Sequence, residues 1–288
     1  MAKNRSSPDT KGTLYVVATP IGNLRDITLR ALDVLKEADI VAAEDTRTTS
    51  FLLRHYGIST RLVSLHQHNE QKKSEAILAF LEEGRKVALV SDAGTPAISD
   101  PGEYLVDCAR HAGFEVVPIP GANAAITALS ASGLSGNGFV FQGFLPAKSS
   151  ARKKVLASLK ALPQSLVFYE APHRIADCVT DLCEVLGGER RVVFCRELTK
   201  LYETIHSCTL NDAPSWLSSQ QKGEFVVIVE GFGIEEKTGL SEEAERVLGI
   251  LLDALPLNQA VKLASSISGE NRNALYELAL KMRGSAIV

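Results

Sequence analysis

The sequence predicts two α/β units in tandem, with a ligand cleft between them and a helical tail behind. Three observations carry this. Short runs that are apolar throughout alternate with longer amphipathic runs, the pattern of strands covered on both faces by helices. A glycine- and serine-rich stretch, Ser132 to Gly138, divides that alternation into two series. Beyond a second glycine-rich, charged segment, Gly231 to Leu240, only helical patterns remain. A chain of 288 residues has room for two domains and a small appendage. The expected divisions are a polar leader over 1–12, a first α/β domain over 13–131, a second over 138–232 and the tail over 240–288.

In the first series the strand runs are 13–19, 39–45, 61–66, 86–92 and 115–120, with helical patterns at 28–38, 46–56, 69–83 and 101–112 between them. Leu29, Leu32 and Leu35 place one apolar stripe on the first helix. Ser132–Gly138 carries glycines at 133, 136 and 138, but not in the order of a dinucleotide fingerprint, and reads as a flexible linker. The second series has strands at 139–144, 165–170, 191–197, 204–209 and 224–230 and helices at 149–161, 173–186 and 212–220. Its last three strands have short connections, which predicts a mixed sheet. The tail reads as helices 241–254, 257–267 and 271–282, broken at Pro256 and Gly269, a compact unit like a helix-turn-helix.

Composition excludes several classes. An apolar fraction of 45% and a charged fraction of 23% are those of a folded soluble protein, and a net charge of -3 is not that of a general nucleic-acid coat. No apolar run is long enough to span a bilayer, and residues 1–12 lack the apolar core of a secretory signal. Five cysteines without a CxxC pair read as reduced thiols in a cytoplasmic protein. Five basic against six acidic residues in the tail give no electrostatic support to DNA binding. No phosphate-loop or nucleophile-elbow motif is present, and His66-Gln67-His68 lacks a third ligand, so no metal site is expected.

Three loops at the carboxyl ends of strands mark the ligand edge of an open α/β sheet. They are Thr19–Leu24, Ser91–Gly102 and Pro118–Ala125. Their small residues let a ligand lie against backbone, and Asp92 stands where it can accept hydrogen bonds. Glu44-Asp45-Thr46-Arg47 ends a strand at the same edge, either as a polar substrate contact or as a self-satisfied ion cluster capping a helix. From the second series, Phe168–Arg174, Cys195–Lys200 and Gly223–Phe225 face the cleft. Residues 146–160 hold five basic residues and no acid, and so supply candidate phosphate contacts: Lys148, Arg152, Lys153 and Lys154.

Taken together, TLYVVATPIGNLRDIT, AAEDTRTT, SDAGTPAISDPG, PIPGANAAITALSASG, GFLP, FYEAPHR, RELTK and GEFVVIVEG, with the trihelical tail, resemble the ribosomal RNA small subunit methyltransferase I family of the tetrapyrrole (precorrin) methylase superfamily, over about residues 12–288. The resemblance implies that superfamily's two-domain α/β fold, and S-adenosylmethionine as donor in the inter-domain cleft, leaving S-adenosylhomocysteine. It implies methylation of a cytidine ribose 2'-oxygen in the decoding region of 16S rRNA, on naked rRNA or an assembled small subunit. A homodimer in the cytoplasm, with no membrane or DNA partner, goes with it. Matched block by block, the donor contacts fall on Pro20, Ile21, Asp92, Ala93, Gly94, Thr95, Asn123 and Ala124, with Tyr169, Arg196, Gly223 and Glu224 from the second domain. TPIGN stands where tetrapyrrole enzymes carry a glycine-rich turn, which favours an RNA acceptor.

Such a reaction needs alignment of oxygen, methyl and sulfur, and removal of the hydroxyl proton. Glu44, Asp45 and Glu170 are the candidate bases or orienters, with Lys200 or Arg47 against the developing oxyanion; loss of the proton to water is the alternative. A small-molecule methyltransferase of the same fold and a non-catalytic ribosome assembly factor are the competing readings.

Overall fold

The structure, a computed structural model, describes residues 11–134, 136–220, 222–233 and 240–284. Most of the expected leader and the middle of the second linker lie outside the described residues. Two compact units divide at Phe232/Gly233.

The first sheet contains β1 (Thr13–Val17), β2 (Ile40–Ala43), β3 (Arg61–Ser64), β4 (Lys86–Val90) and β5 (Glu115–Ile119) in the order β3-β2-β4-β1-β5. Every pairing is parallel. Helices α1 (Leu29–Glu37) and α2 (Thr46–His55) cover one face, burying Ala31, Leu35 and Leu53 against Val17, Val41 and Ala88. On the other face α3 (Glu70–Glu82) and α4 (Glu103–His111) bury Ile77, Leu81 and Leu105 against Leu14, Ala42 and Leu89. Strands sandwiched this way have no solvent side, which is why β2 reads as an unbroken apolar run and is buried throughout.

The second sheet contains β6 (Phe139–Phe144), β7 (Ser165–Glu170), β8 (Arg191–Arg196), β9 (Thr204–Thr209) and β10 (Phe225–Val229) in the order β6-β7-β10-β8-β9. Only β6 and β7 run parallel; the other three pairings are antiparallel. Helices α6 (Ser149–Leu159), α7 (Ile175–Leu186) and the short α8 (Ala213–Leu217) pack on one face through Leu156, Val179, Leu182 and Leu217.

The opposite face is covered by α5 (Ala124–Ser132), which buries Ala125, Ala128 and Leu129 against Val167, Val193, Val226 and Ile228. By sequence order α5 belongs to the first series, so a boundary at 131 separates a helix from the sheet it packs on. The expected flexible linker is likewise corrected. Gly133 caps α5 in the left-handed region, Leu134 is buried, its N–H bonds to Ser132 Oγ and its carbonyl accepts from Ser165 Oγ.

The second unit is built from α9 (Glu242–Ala254), α10 (Leu257–Ser268) and α11 (Arg272–Gly284) around Leu248, Val261, Ala264, Leu275 and Ala279. Ser241 caps α9 through Ala244 N–H, and Gly269 ends α10 at φ 72°.

Candidate functional site

The carboxyl edge of the first sheet gathers three loops because backbone pairing ties them together. Thr19 and Gly94 exchange N–H···O bonds of 2.8 and 3.0 Å, joining the loops after β1 and β4. Thr95 Oγ1 donates to the Ala122 carbonyl at 3.2 Å, joining the loop after β5. The segment after β2 is bound in as well: Asp45 N–H donates to Asp92 Oδ1 at 2.9 Å, and Asp92 N–H to Glu44 Oε2 at 3.4 Å.

The second sheet closes on this edge at two glycines. A Cβ on Gly22 would meet Lys200 Cγ at 2.6 Å, and one on Gly143 would meet Ser99 Oγ at 2.6 Å. Both have positive φ, 155° and 69°. Among the described residues, the non-glycine residues at positive φ are Ala97, Ser99, Glu197 and Thr199, all in the two loops that meet here. Each such residue costs on the order of 1 kcal/mol or more, and strain of this kind concentrates at ligand sites.

Two adjoining cavities result. The first, of about 450 Å³, lies between the sheets and is lined by loop residues Ile21, Asp92–Thr95, Asn123 and Ala124 from one side. Tyr169, Glu170, Leu198, Glu224 and Val226 line it from the other. Asn123 Oδ1 caps α5 through Ile126 N–H, and Ala125 N–H donates to the Tyr169 hydroxyl oxygen, so the end of α5 is fixed at this wall. The second, of about 270 Å³, shares Ile21, Asp92, Ala93 and Glu224 with the first and adds Pro20, Gly22, Phe51 and Lys200.

The first cavity is acidic. Burial, and then the charge of Glu44, push the Asp100 carboxyl up to about 6, with Ser91 hydrogen bonding in the opposite direction. Burial also raises Glu44, helped by the charges of Asp92 and Asp45. Glu170 is buried with both oxygens engaged, by Ala171 N–H at 2.8 Å and Arg174 at 3.1 and 3.3 Å. Lys200 spans Glu197 at 2.9 Å and Glu224 at 2.8 Å on the wall of the second cavity. Among the described residues, no three His, Cys, Asp or Glu are grouped to hold a metal ion.

Most residues named from the sequence line one of these cavities, and several do not. Glu44, Asp92, Ala93, Gly94, Thr95, Asn123, Ala124, Tyr169, Glu170 and Glu224 line the first; Pro20 and Lys200 line the second. Arg196 and Gly223 line neither. The Arg196 guanidinium braces the Lys222 and Tyr202 carbonyls, and Gly223 packs on the Glu197 carboxyl. Asp45 caps α2 and binds Arg47 at 2.6 Å, which holds its carboxyl down to about 2; neither residue lines a cavity. Of the basic run, Lys148 and Lys154 are exposed and Lys153 pairs with Glu184 at 2.5 Å. Arg152 is corrected: its side chain is 3% exposed and its Nε lies 2.6 Å from Asp181 Oδ2, which makes it an internal charge and not a surface contact.

Asp100, Ile98, Ser99, Phe144, Leu198 and Val226 also line the first cavity and were not selected from sequence. Ile98, Ser99 and Asp100 fall within the Ser91–Gly102 loop and Leu198 within Cys195–Lys200, both read as facing the cleft, but no pattern within those segments singled these residues out.

Residues 13–214 match the family model of Tetrapyrrole (Corrin/Porphyrin) Methylases, and residues 238–283 that of the RsmI C-terminal HTH domain. The chain is 51% identical over 287 residues to Ribosomal RNA small subunit methyltransferase I of Escherichia coli O157:H7, covering 99% of this chain and 100% of that relative. Among solved structures it is similar to the methyltransferase CobJ, with a TM-score of 0.59 and 22% identity over 76% of this chain and 94% of that one. A Thermus thermophilus uroporphyrin-III C-methyl transferase complexed with S-adenyl homocysteine gives a TM-score of 0.54 at 18% identity over 75% and 97%. At those identities the two structures speak to the fold.

Proposed function

The chain belongs to the tetrapyrrole methylases and, within them, to the ribosomal RNA small subunit methyltransferase I family, and from that premise we propose that it methylates small-subunit rRNA from S-adenosylmethionine, at the ribose 2'-oxygen of a cytidine in the decoding region. The observation that supports this best is the pair of adjoining cavities at one sheet edge, room for a donor beside room for an acceptor.

The residues of the first cavity fit the donor. Its volume of about 450 Å³ suits a ligand of that size, and the loop Asp92–Thr95 offers backbone where larger side chains would obstruct. Glu44, Asp92 and Asp100 make the site attractive to a cation, and the donor carries both a sulfonium and an ammonium. When bound, S-adenosylmethionine supplies an electrophilic methyl on a leaving group that departs neutral. The chain's own task is then to align the acceptor oxygen and manage its proton.

Glu44 is the group for that proton. Asp45 is committed to its cap and ion pair, and Glu170 to Ala171 and Arg174, whereas Glu44 lines the cavity with its carboxyl raised toward proton-accepting range. Lys200, on the wall of the second cavity, is the cation for the charge that develops on oxygen. A homodimer acting in the cytoplasm belongs to the same proposal; among the described residues no helix is long and apolar enough to cross a membrane.

The test is transfer of labelled methyl from S-adenosylmethionine to small-subunit particles from cells lacking this protein, with naked rRNA in parallel and nuclease mapping of the product. Label on a single cytidine ribose is the expected result. Donor binding without transfer to either RNA form would overturn the RNA acceptor and favour a small-molecule one.

A further inference from the structure

We infer that the second cavity is the acceptor-nucleoside subsite and that Phe51 is its stacking face, a recognition residue that sets how tightly the RNA is held. The inference rests on the RNA-methyltransferase reading above and adds to it where the acceptor sits and which side chain grips it.

The starting point is a helix whose phase leaves one aromatic outside. In α2 the buried stripe is Thr49, Leu52 and Leu53, so Phe51 falls on the outer face and is 60% exposed. A single exposed apolar residue is ordinary on a protein surface. Phe51 differs because it lines a cavity that shares four residues with the first, so a ring stacked on it would stand beside the cavity assigned to the donor.

The rest of that face has the chemistry of a nucleic-acid contact. Helix α2 carries Arg47, Arg54 and His55 and no acidic residue. Arg47 has a side chain 90% exposed even while paired with Asp45. Arg47 and Arg54 stand four before and three after Phe51, the spacings that put side chains on neighbouring positions of one helix face. The Tyr56 hydroxyl donates to the Leu24 carbonyl at 2.5 Å, which pins the end of α2 to the loop after β1, where Pro20, Ile21, Gly22 and Leu24 form the opposite wall. Lys200 closes the cavity from the second sheet.

An aromatic face flanked by cations, beside a pocket of polar and small residues, is what binds an unstacked base: the ring takes the base face and the arginines take phosphate. The acceptor ribose would then lie toward the shared wall of Ile21 and Asp92, between base and donor. The first cavity has aromatic side chains too, but it is lined by five carboxylates and no lysine or arginine, which disfavours a phosphate chain.

The experiment uses the full chain, donor binding by calorimetry and steady-state methyl transfer to small-subunit particles lacking the modification. Phe51→Ala is expected to raise KM for particles by about 5- to 100-fold, the range for one lost base–aromatic stack, with donor Kd unchanged. Phe51→Trp is expected to restore KM, which a merely structural defect would not do. If the wild-type protein methylates particles and Phe51→Ala has the same KM, the subsite assignment is overturned and the function stands. If Phe51→Ala changes donor Kd as much as KM, Phe51 acts on the donor cavity and the assignment is again overturned. If the wild-type protein binds donor and transfers nothing to any RNA, the reading beneath the inference has failed instead.

Discussion

The two cavities share a wall and differ in charge, the first far more acidic than the second. The first is walled by Glu44, Asp92, Asp100, Glu170 and Glu224, with small, aliphatic and aromatic side chains between them. The second has threonines, Phe51 and Lys200, and its approach is a helix without acids. A cationic donor and a polyanionic acceptor call for different fields only ångströms apart. The shared Asp92 and Glu224 are the boundary, held by Asp45 N–H on one side and Lys200 on the other. A net charge of -3 reports neither field; the division appears only when the chain is folded.

The most severe way to break the contrast is Asp92→Ala. It removes a carboxylate from the shared wall and leaves Asp45 N–H, at the start of α2, without its acceptor. Loss of a charge-assisted bond at a ligand site predicts a fall in kcat/KM of about 100-fold, measured by labelled methyl transfer at fixed donor.

Proton concentration should separate the cavities next. Asp100, raised to about 6, is ionised above that pH and neutral below it, so donor affinity should hold above pH 6 and weaken roughly tenfold per pH unit below it. Calorimetric donor titrations between pH 5 and 8 check this, and Asp100→Asn should flatten the profile.

The same carboxyl makes a smaller prediction about stability. A raised folded-state pKa means that Asp100 costs nothing below pH 4, where folded and unfolded forms are both protonated, costs progressively more as pH rises from about 4 to 6, and costs its full amount above that. Asp100→Asn should therefore stabilise the fold at pH 7.5 by about 1 kcal/mol, a figure reduced for the solvent that still reaches the group, and the gain should vanish near pH 4. Urea unfolding at the two pH values reads it out. Cavity carboxylates kept for binding at a cost in stability are the expected trade-off.

Smallest is Lys154→Ala, on the exposed side of α6. Lys154 is a candidate phosphate contact, and its removal should raise KM for particles two- to fivefold and lower the salt dependence of binding by about one ion, with no effect on donor Kd. Titration against particles at several salt concentrations measures both.

Much of the architecture was legible in the sequence because strands covered on both faces are apolar throughout, and because glycine and proline mark the loops that follow them. Helix α5 escaped the division into units for a related reason. Its residues Ala124–Ser132 are nearly all small or apolar, so no stripe tells which sheet it will cover. The loops that line the cavities were legible as small residues at strand ends. Asp100 was not singled out, since its proton affinity arises first from burial and then from Glu44 and Asp92, which the fold brings to it from the loops after β2 and β4. Arg152 looked like a solvated charge because its partner, Asp181, lies on another helix 29 residues away. Phe51 sits among Leu52 and Leu53 in an apolar run, and only the phase of α2 shows that it points away from the core.

The division of labour between the cavities is tested most directly by calorimetric titration of S-adenosylmethionine into Asp100→Asn and Phe51→Ala side by side at pH 7.5. The expected result is donor affinity weakened about tenfold or more in Asp100→Asn and unchanged in Phe51→Ala. Equal weakening in both, or a loss confined to Phe51→Ala, would contradict the assignment of the acidic cavity to the donor and the cavity lined by Phe51 to the acceptor.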